Sequence, residues 1–348
     1  MSLILGIEST CDETAAALVA DGRVVQASVV ATQVALHARY RGVVPEIASR
    51  AHINSILPVL IDAIAAAGIK LSDIDAVAVA NRPGLIGSLL VGVTAGKTLA
   101  WSLNKPLVPV DHVHAHLYSV VLAGPAEPAP PASPADVQFP AVGMVCSGGH
   151  TSLFHLRNWL DIELIGATID DAVGEAYDKV AAILELGYPG GPILDNLAAG
   201  GDSHAIPFPR TLLERDSLDF SFSGLKTAVL YHVRGHKGRE RRADSLTGAE
   251  IANVAASFQA ACIDVLIVKI RRAARQYGAR TVLVGGGVSA NRGLRAALAQ
   301  FDIPVRVPPL PYCTDNAAMS AALAHHLLAA KITAGLDLEA FPSSLFAI

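Results

Sequence analysis

The chain has 348 residues, 52% hydrophobic and 17% charged, with a formal net charge of −4. That length suits two domains better than a single core, and the apolar share is ample for both. The charge balance argues against a dedicated, strongly basic nucleic-acid binder, so any RNA contact needs a local basic patch or a partner protein.

The four cysteines, Cys11, Cys146, Cys262 and Cys313, have no CxxC spacing. Such scatter fits reduced thiols in a cytosolic enzyme better than a disulfide framework. The apolar run from Leu3 has no basic segment or cleavage signal before it. Glycine, proline and charged interruptions are expected to leave no apolar stretch of transmembrane length. The expectation is a soluble, cytoplasmic protein with no membrane association.

The first thirty residues read as a β-meander: Leu3–Ile7, Thr14–Ala20, then Arg23–Val30 after an Asp21-Gly22 turn. A helix follows over Pro45–Ala67, with Ile47, Ile56, Leu60 and Ile64 near one face and Gly68 as its stop. Ala76–Ala80 and Leu107–Val110 read as buried strands flanking a helix over Ile86–Leu103. Gly124–Pro140 is rich in proline and alanine and reads as a loop or linker. A second hairpin follows, Ala141–Cys146 and Thr151–Leu156, joined by Ser147-Gly148-Gly149-His150. Helices are expected at Ala172–Leu186, Ala249–Tyr277, Asn291–Gln300 and Thr314–Ala330, and strands at Thr281–Val284 and Pro304–Val307. LGIESTCDETAAALV from Leu5 and VGMVCSGGHTSLFHL from Val142 form a loose internal repeat. The expected domains are 1–123 and 141–315, joined by 124–140, with a C-terminal helix in 316–348 returning to the first. Two similar α/β domains would flank a cleft, with polar hairpin turns suited to anions.

His112 and His116 stand four apart after a buried strand, a spacing that lets one helix face grip a metal. Solvated or internally satisfied histidines are the plainer reading. The pair resembles half of HExxH, but Val113 stands where a metallopeptidase needs its glutamate base, which disfavours that chemistry. Asp315, in Tyr312-Cys313-Thr314-Asp315-Asn316, is either a first-turn residue favoured by the helix dipole or a carboxylate reaching a site.

Three glycine turns lie in the second half: Ser147–His150, Tyr188–Pro192 and Gly285–Gly287. Together they look like a nucleotide cradle. None is a P-loop or a Rossmann fingerprint. Asp171, Glu175 and Asp178 share a helix face, either as a solvated acidic turn or with Asp178 on a ribose or base. Glu8, Asp12 and Glu13 crowd the first hairpin turn, either as simple turn residues or facing the phosphate–metal centre. Phe220 and Phe222 are as well suited to a core as to binding. His232–Arg242 is the one strongly basic run, a solvated loop or a phosphate contact.

Taken together, the chain resembles the TsaD family, once named O-sialoglycoprotein endopeptidases. The matching segments run from residue 5 to residue 319: LGIESTCDETAAALV, GVVPEIASRAH, PGLIGSLLVG, HVHAH, CSGGHTSLF, DDAVGEAYDKVA, YPGGPILD, FSFSGLKTA, GGGVSANRGLR and YCTDNAAM. Three features depart from the pattern: Asp111 before the first histidine, Asn81-Arg82 before Pro83, and a long 124–140 segment.

The resemblance implies an ASKHA fold, two actin-like α/β domains around a nucleotide cleft. It implies metal ligation by His112, His116 and Asp315. It also implies adenylate contacts from Val145, Cys146, Ser147, Gly148, Gly149, Asp178, Gly191, Asp195 and Asn291. The implied reaction is transfer of a threonylcarbamoyl group from threonylcarbamoyl-AMP to tRNA adenosine, with Asp12 or Glu13 as proton acceptor. The ligand set admits iron, zinc or manganese, with ferrous iron first and zinc second. TsaB-like and TsaE-like partner proteins are expected. An ASKHA ATPase or sugar kinase and a non-catalytic scaffold are the rival readings.

Overall fold

The computed structural model describes residues 2–124, 136–212, 214, 216–235 and 246–343. The chain divides into two units. The first holds Met1–Val137, Arg157–Ile162 and Val307–Ile348; the second holds Gln138–Leu156 and Glu163–Arg306.

Unit one is built on a five-stranded sheet of order β3-β2-β1-β4-β5, comprising β1 (Leu3–Glu8), β2 (Glu13–Ala20), β3 (Val24–Thr32), β4 (Ala76–Arg82) and β5 (Leu107–Asp111). The meander is antiparallel; β4 runs parallel to β1, and β5 parallel to β4. Asp21 and Gly22 both take positive φ, 50° and 66°, the tight turn that matches strand twist. The helices are α1 (Val34–His37), α2 (Pro45–Ala67), α3 (Ile86–Leu103) and α4 (His112–Tyr118). α2 stops at Gly68, which sits at φ 65°. Its Ile56, Val59 and Leu60 join Leu5, Ile7, Leu18, Val77 and Val79 in one core. Each such aliphatic side chain stabilises by about 1.5–3 kcal/mol when fully buried.

Unit two repeats the plan. Its sheet order is β10-β9-β6-β7-β8, from β6 (Ala141–Cys146), β7 (Thr151–Leu156), β8 (Ile162–Ala167), β9 (Thr281–Gly285) and β10 (Val305–Arg306). Read from the other edge, this is the order of the first sheet, and β9 is parallel to β6 as β4 is to β1. The helices are α5 (Val173–Ile183), α6 (Gly190–Ala198), α7 (Ser223–Arg234), α8 (Gly248–Gln276) and α9 (Arg292–Leu298). Two five-stranded sheets of one order give the repeated α/β architecture expected of an ASKHA fold. Sequence reading missed β8, α6 and α7. α6 opens on Gly190-Gly191-Pro192, which reads as a turn, and β8 is only partly buried.

The last helix, α10 (Ala317–Ala329), belongs to unit one and packs on β1 and β2. The chain re-enters that unit at Val307, ahead of the 315 boundary read from sequence.

One sequence expectation is corrected. α2, α3 and α8 are long and apolar enough, by length and composition, to cross a bilayer. Here α2 packs on β2, β3 and α3, while α8 packs on α6, α7, α9 and β6. None of the four cysteines is in a disulfide. The Pro/Ala-rich stretch over 125–135 and most of the basic run, 236–245, lie outside the described residues.

Candidate active site

In unit one, Asp111 ends β5 and caps α4. Its carboxylate accepts from the Val113 and His114 amides at 2.9 and 3.2 Å. The family departure at this position is thus a helix cap, satisfying amides that have no partner inside the helix. α4 then sets His112 and His116 one turn apart, with ring centroids at 4.7 Å. Their Nε2 atoms lie 3.7 and 3.0 Å from Asp315 Oδ1.

Asp315 is not a first-turn residue. Asn316 is the cap, accepting from the Met319 amide at 3.1 Å, and α10 starts at Ala317 rather than Thr314. A glycine brings this end of α10 onto the sheet: a Cβ on Gly6 would collide with the Ala317 carbonyl.

The donor set fits a divalent metal. The three ligand atoms lie within 4.8 Å of one another. Atoms bound to one ion at about 2.0–2.2 Å sit about 3.0–3.6 Å apart, so only slight closure is needed. His116 Nδ1 is buried with no hydrogen-bond partner among the described residues. His114 is not one of the converging donors.

Glu8 stands behind His112. Its side chain is wholly buried, and its Oε2 lies 3.2 Å from His112 Nδ1. Sequence reading had left Glu8 open, as a simple turn residue or as one facing the phosphate–metal centre. Burial alone would pull the His112 imidazole down, but the Glu8 and Asp315 carboxylates outweigh it and hold it at about 9. Glu13 is pushed up to about 10 by burial and by the charges of Asp315 and Asp12. The cluster is therefore short of positive charge, which a cation would supply.

The turn itself is clamped. The Leu85 amide donates to the Thr10 carbonyl at 2.8 Å, and a Cβ on Gly84 would sit 2.6 Å from that oxygen. Ser9 Oγ donates to the Ser88 carbonyl at 2.8 Å and accepts from the Gly92 amide at 3.1 Å. His52, buried, bridges Thr14 Oγ1 at 2.8 Å and the Cys11 carbonyl at 3.0 Å. The Asn81-Arg82 departure has a local use as well. Asn81 donates to the Glu339 carbonyl at 3.0 Å, and the Arg82 guanidinium lies 5.8 Å from the Phe341 ring.

In unit two, Ser147–His150 closes the β6–β7 hairpin. The Ser147 amide donates to the His150 carbonyl at 2.8 Å, and the His150 amide to Ser147 Oγ at 3.1 Å. Gly148 and Gly149 are exposed, with open space where a Cβ would be. Val145 and Cys146 have no exposed surface. Their side chains are closed to a ligand, and they serve as the strand that carries the turn. Gly286, at φ 88°, approaches Cys146 so closely that a Cβ would strike its carbonyl.

Other sites picked out from the sequence are held by the protein itself. Asp178 Oδ1 accepts from the Gly190 amide at 2.7 Å, fixing the turn that presents Gly191, where no atom crowds a Cβ. Asp195 pairs with Arg292 Nε at 2.9 Å and accepts from Gln259 at 3.1 Å. Asn291 caps α9 through the Leu294 amide at 2.9 Å and donates to Gln259 at 2.7 Å. These bonds hold the glycine turns and the α9 start in place.

Asp171 binds Lys179 and Lys226, each at 2.7 Å, so the acidic segment is internally paired. Asp170, not singled out from sequence, accepts from the Phe222 amide at 2.9 Å and from Ser223 Oγ at 2.7 Å. Phe220 and Phe222 are core residues, fully buried and stacked with centroids 6.3 Å apart. Arg234 closes α7, and its neighbour Val233 is buried.

A sequence model described as "TsaD: tRNA N6-adenosine threonylcarbamoyltransferase" matches residues 24–322. A protein of that name from Moorella thermoacetica is 50% identical over 345 residues, covering 97% of this chain and 96% of its own. One from Bacillus subtilis is 49% identical over 326 residues, covering 92% and 88%. Among solved structures, T. kodakarensis HypF aligns at TM-score 0.59 and 14% identity, covering 94% of this chain and 48% of that one, a likeness of fold alone.

Proposed function

The chain belongs to the TsaD family, the tRNA N6-adenosine threonylcarbamoyltransferases, and from that premise we propose that it moves a threonylcarbamoyl group from threonylcarbamoyl-AMP to N6 of the adenosine 3′ of the anticodon. The observation that carries this reading is the meeting of His112, His116 and Asp315 at one point, with nothing local to force it. A peptidase is disfavoured on the same ground as before, since Val113 offers no base and is buried.

In this reading His112 Nε2, His116 Nε2 and Asp315 Oδ1 hold a ferrous ion, or zinc in its place. The ion supplies Lewis-acid polarisation of the donor's phosphate and carbonyl. The amides of Gly148, Gly149 and Gly191 receive the adenylate phosphate, and Asp178, Asp195 and Asn291 keep those turns and the α9 start in shape. The adenosine amine forms a bond to the carbamoyl carbon, the carbon–oxygen bond to phosphate breaks, and AMP leaves. The amine proton passes to Asp12. Glu13, in the same turn, is the alternative acceptor. An exocyclic amine is a weak nucleophile, so positioning supplies much of the rate.

Partner docking fits unit one. Ile53, Leu57 and Ile61 form a row on α2 spaced four residues apart, exposed to 63–66%. Leu90 and Trp101 are likewise exposed, to 52 and 71%, on α3, which packs on α2. An uncovered apolar stripe of this kind marks an interaction face. We assign it to a TsaB-like protein, with a TsaE-like ATPase completing the system and tRNA placing the reaction in the cytoplasm.

The test is mass spectrometry of tRNA nucleosides after incubating chain, tRNA, threonylcarbamoyl-AMP and partner proteins. Threonylcarbamoyladenosine is expected, and Leu57→Asp should cut its yield severalfold. Unmodified adenosine from the complete mixture would refute the transferase reading. Equal yield with Leu57→Asp would move the partner elsewhere.

A further inference from the structure

We propose that Glu8 is a positioning residue of the metal site: its buried carboxylate holds His112 with Nε2 toward the ion and balances the charge of the liganded centre. The proposal rests on the metal reading above. Glu8 ends β1 and its side chain is 0% exposed. Its Oε1 accepts from the Thr10 amide at 2.9 Å. Its Oε2 faces His112 Nδ1 at 3.2 Å and Ser320 Oγ at 3.3 Å. Both oxygens are thus fixed, one by the hairpin turn and one between two helices.

The two histidines are treated differently. Nδ1 of His112 has Glu8 and Thr10 Oγ1 in reach, each at 3.2 Å. Nδ1 of His116 is buried without a hydrogen-bond partner among the described residues. Orientation is therefore built into the first ligand and left to packing in the second. An imidazole that donates from Nδ1 to a carboxylate must present its lone pair at Nε2, and it becomes a stronger donor for doing so.

Charge points the same way. Two neutral imidazoles and the Asp315 carboxylate leave a divalent ion with one positive charge uncompensated. Glu8 puts a matching negative charge in contact with a ligand. Among the described residues its one ion-pair partner is His112. A wholly buried carboxylate is costly unless paired, and His112, protonated or metal-bound, is the partner that offsets that cost.

The test measures Zn²⁺ affinity of the full chain by chelator competition for wild type, Glu8→Gln, Ser320→Ala and His112→Ala. Melting curves confirm folding. Glu8→Gln keeps an acceptor oxygen but loses the charge, and about 10–100-fold weaker binding is expected. Ser320→Ala removes only a hydroxyl from the same oxygen and should bind within about threefold of wild type. Nitrogen-15 NMR of the zinc-loaded wild type should show His112 protonated on Nδ1, with that signal moved upfield in Glu8→Gln. A purely structural role would lower the melting point and leave affinity and the imidazole signal alone. Affinity of folded Glu8→Gln within about twofold of wild type overturns the proposal. If that variant does not fold, wild-type His112 ligating through Nδ1 overturns it instead. Equal Zn²⁺ binding by wild type and His112→Ala refutes the metal reading itself, a distinguishable result.

Discussion

The β1–β2 and β6–β7 hairpins occupy the same place in two sheets of the same order, yet their turns carry opposite chemistry. The first turn, Glu8–Glu13, is acidic and clamped on several sides by α3, His52 and the Thr10 contacts. It lies against two histidines and a further aspartate, and burial, with the charges of Asp12 and Asp315, raises both Glu13 and Cys11. The second turn, Ser147–His150, has no acid, leaves two glycines exposed, and offers amides rather than carboxylates. One scaffold position thus suits a cation in one unit and an anion in the other. Duplicated topology fixes where a turn stands, and a few side chains decide which charge it accepts.

The largest effect should come from removing a donor in unit one. Asp315→Ala or His116→Ala should cost more metal affinity than the about 10–100-fold typical of losing a ligand's outer hydrogen-bond partner. Inductively coupled plasma mass spectrometry of the purified variants reads this, and adenylate binding by calorimetry should weaken by a much smaller factor than metal binding. Loss of both together would mean that the two turns do not divide the chemistry.

The reciprocal change is Gly149→Val. No atom lies within 4 Å of a Cβ there, so the fold should tolerate it. The new side chain would cover the amides, and threonylcarbamoyl-AMP binding should weaken by about tenfold or more. Metal content should be unchanged. Tight adenylate binding by this variant would show that the glycine turn is not the anion site.

The smallest effect concerns Asp170, which holds the 221–223 segment. Burial opposes its charge, but hydrogen bonds from Ser221, Ser223 and the Phe222 and Ser223 amides outweigh this and lower it from 3.8. A depressed carboxyl adds stability above its unfolded value, and that stability is lost as pH falls through the folded one. Asp170→Asn should therefore melt a few degrees below wild type at pH 6, with the gap closing as acid protonates the carboxyl in both folded and unfolded chains. A gap that persists in acid would assign the effect to shape rather than charge.

Local order was largely legible from the sequence. The Asp21-Gly22 turn, α2 with its stop at Gly68, the buried strands and the repeated hairpin all follow from short-range patterning, because turn stereochemistry and hydrophobic period act over a few residues. The four-residue spacing of His112 and His116 was legible for the same reason. What tertiary structure alone decided is who meets whom. Asp315 reaches the histidine pair only because α10 returns to the first sheet and Gly6 lets it approach. Glu8 looked like one acid among three until burial set it against His112. Asp178, Asp195 and Asn291 read as ligand contacts, and the fold adds bonds to Gly190, Arg292 and the start of α9 that the sequence did not show. A side chain's hydrogen-bond partners come from distant parts of the chain, and no local period encodes them.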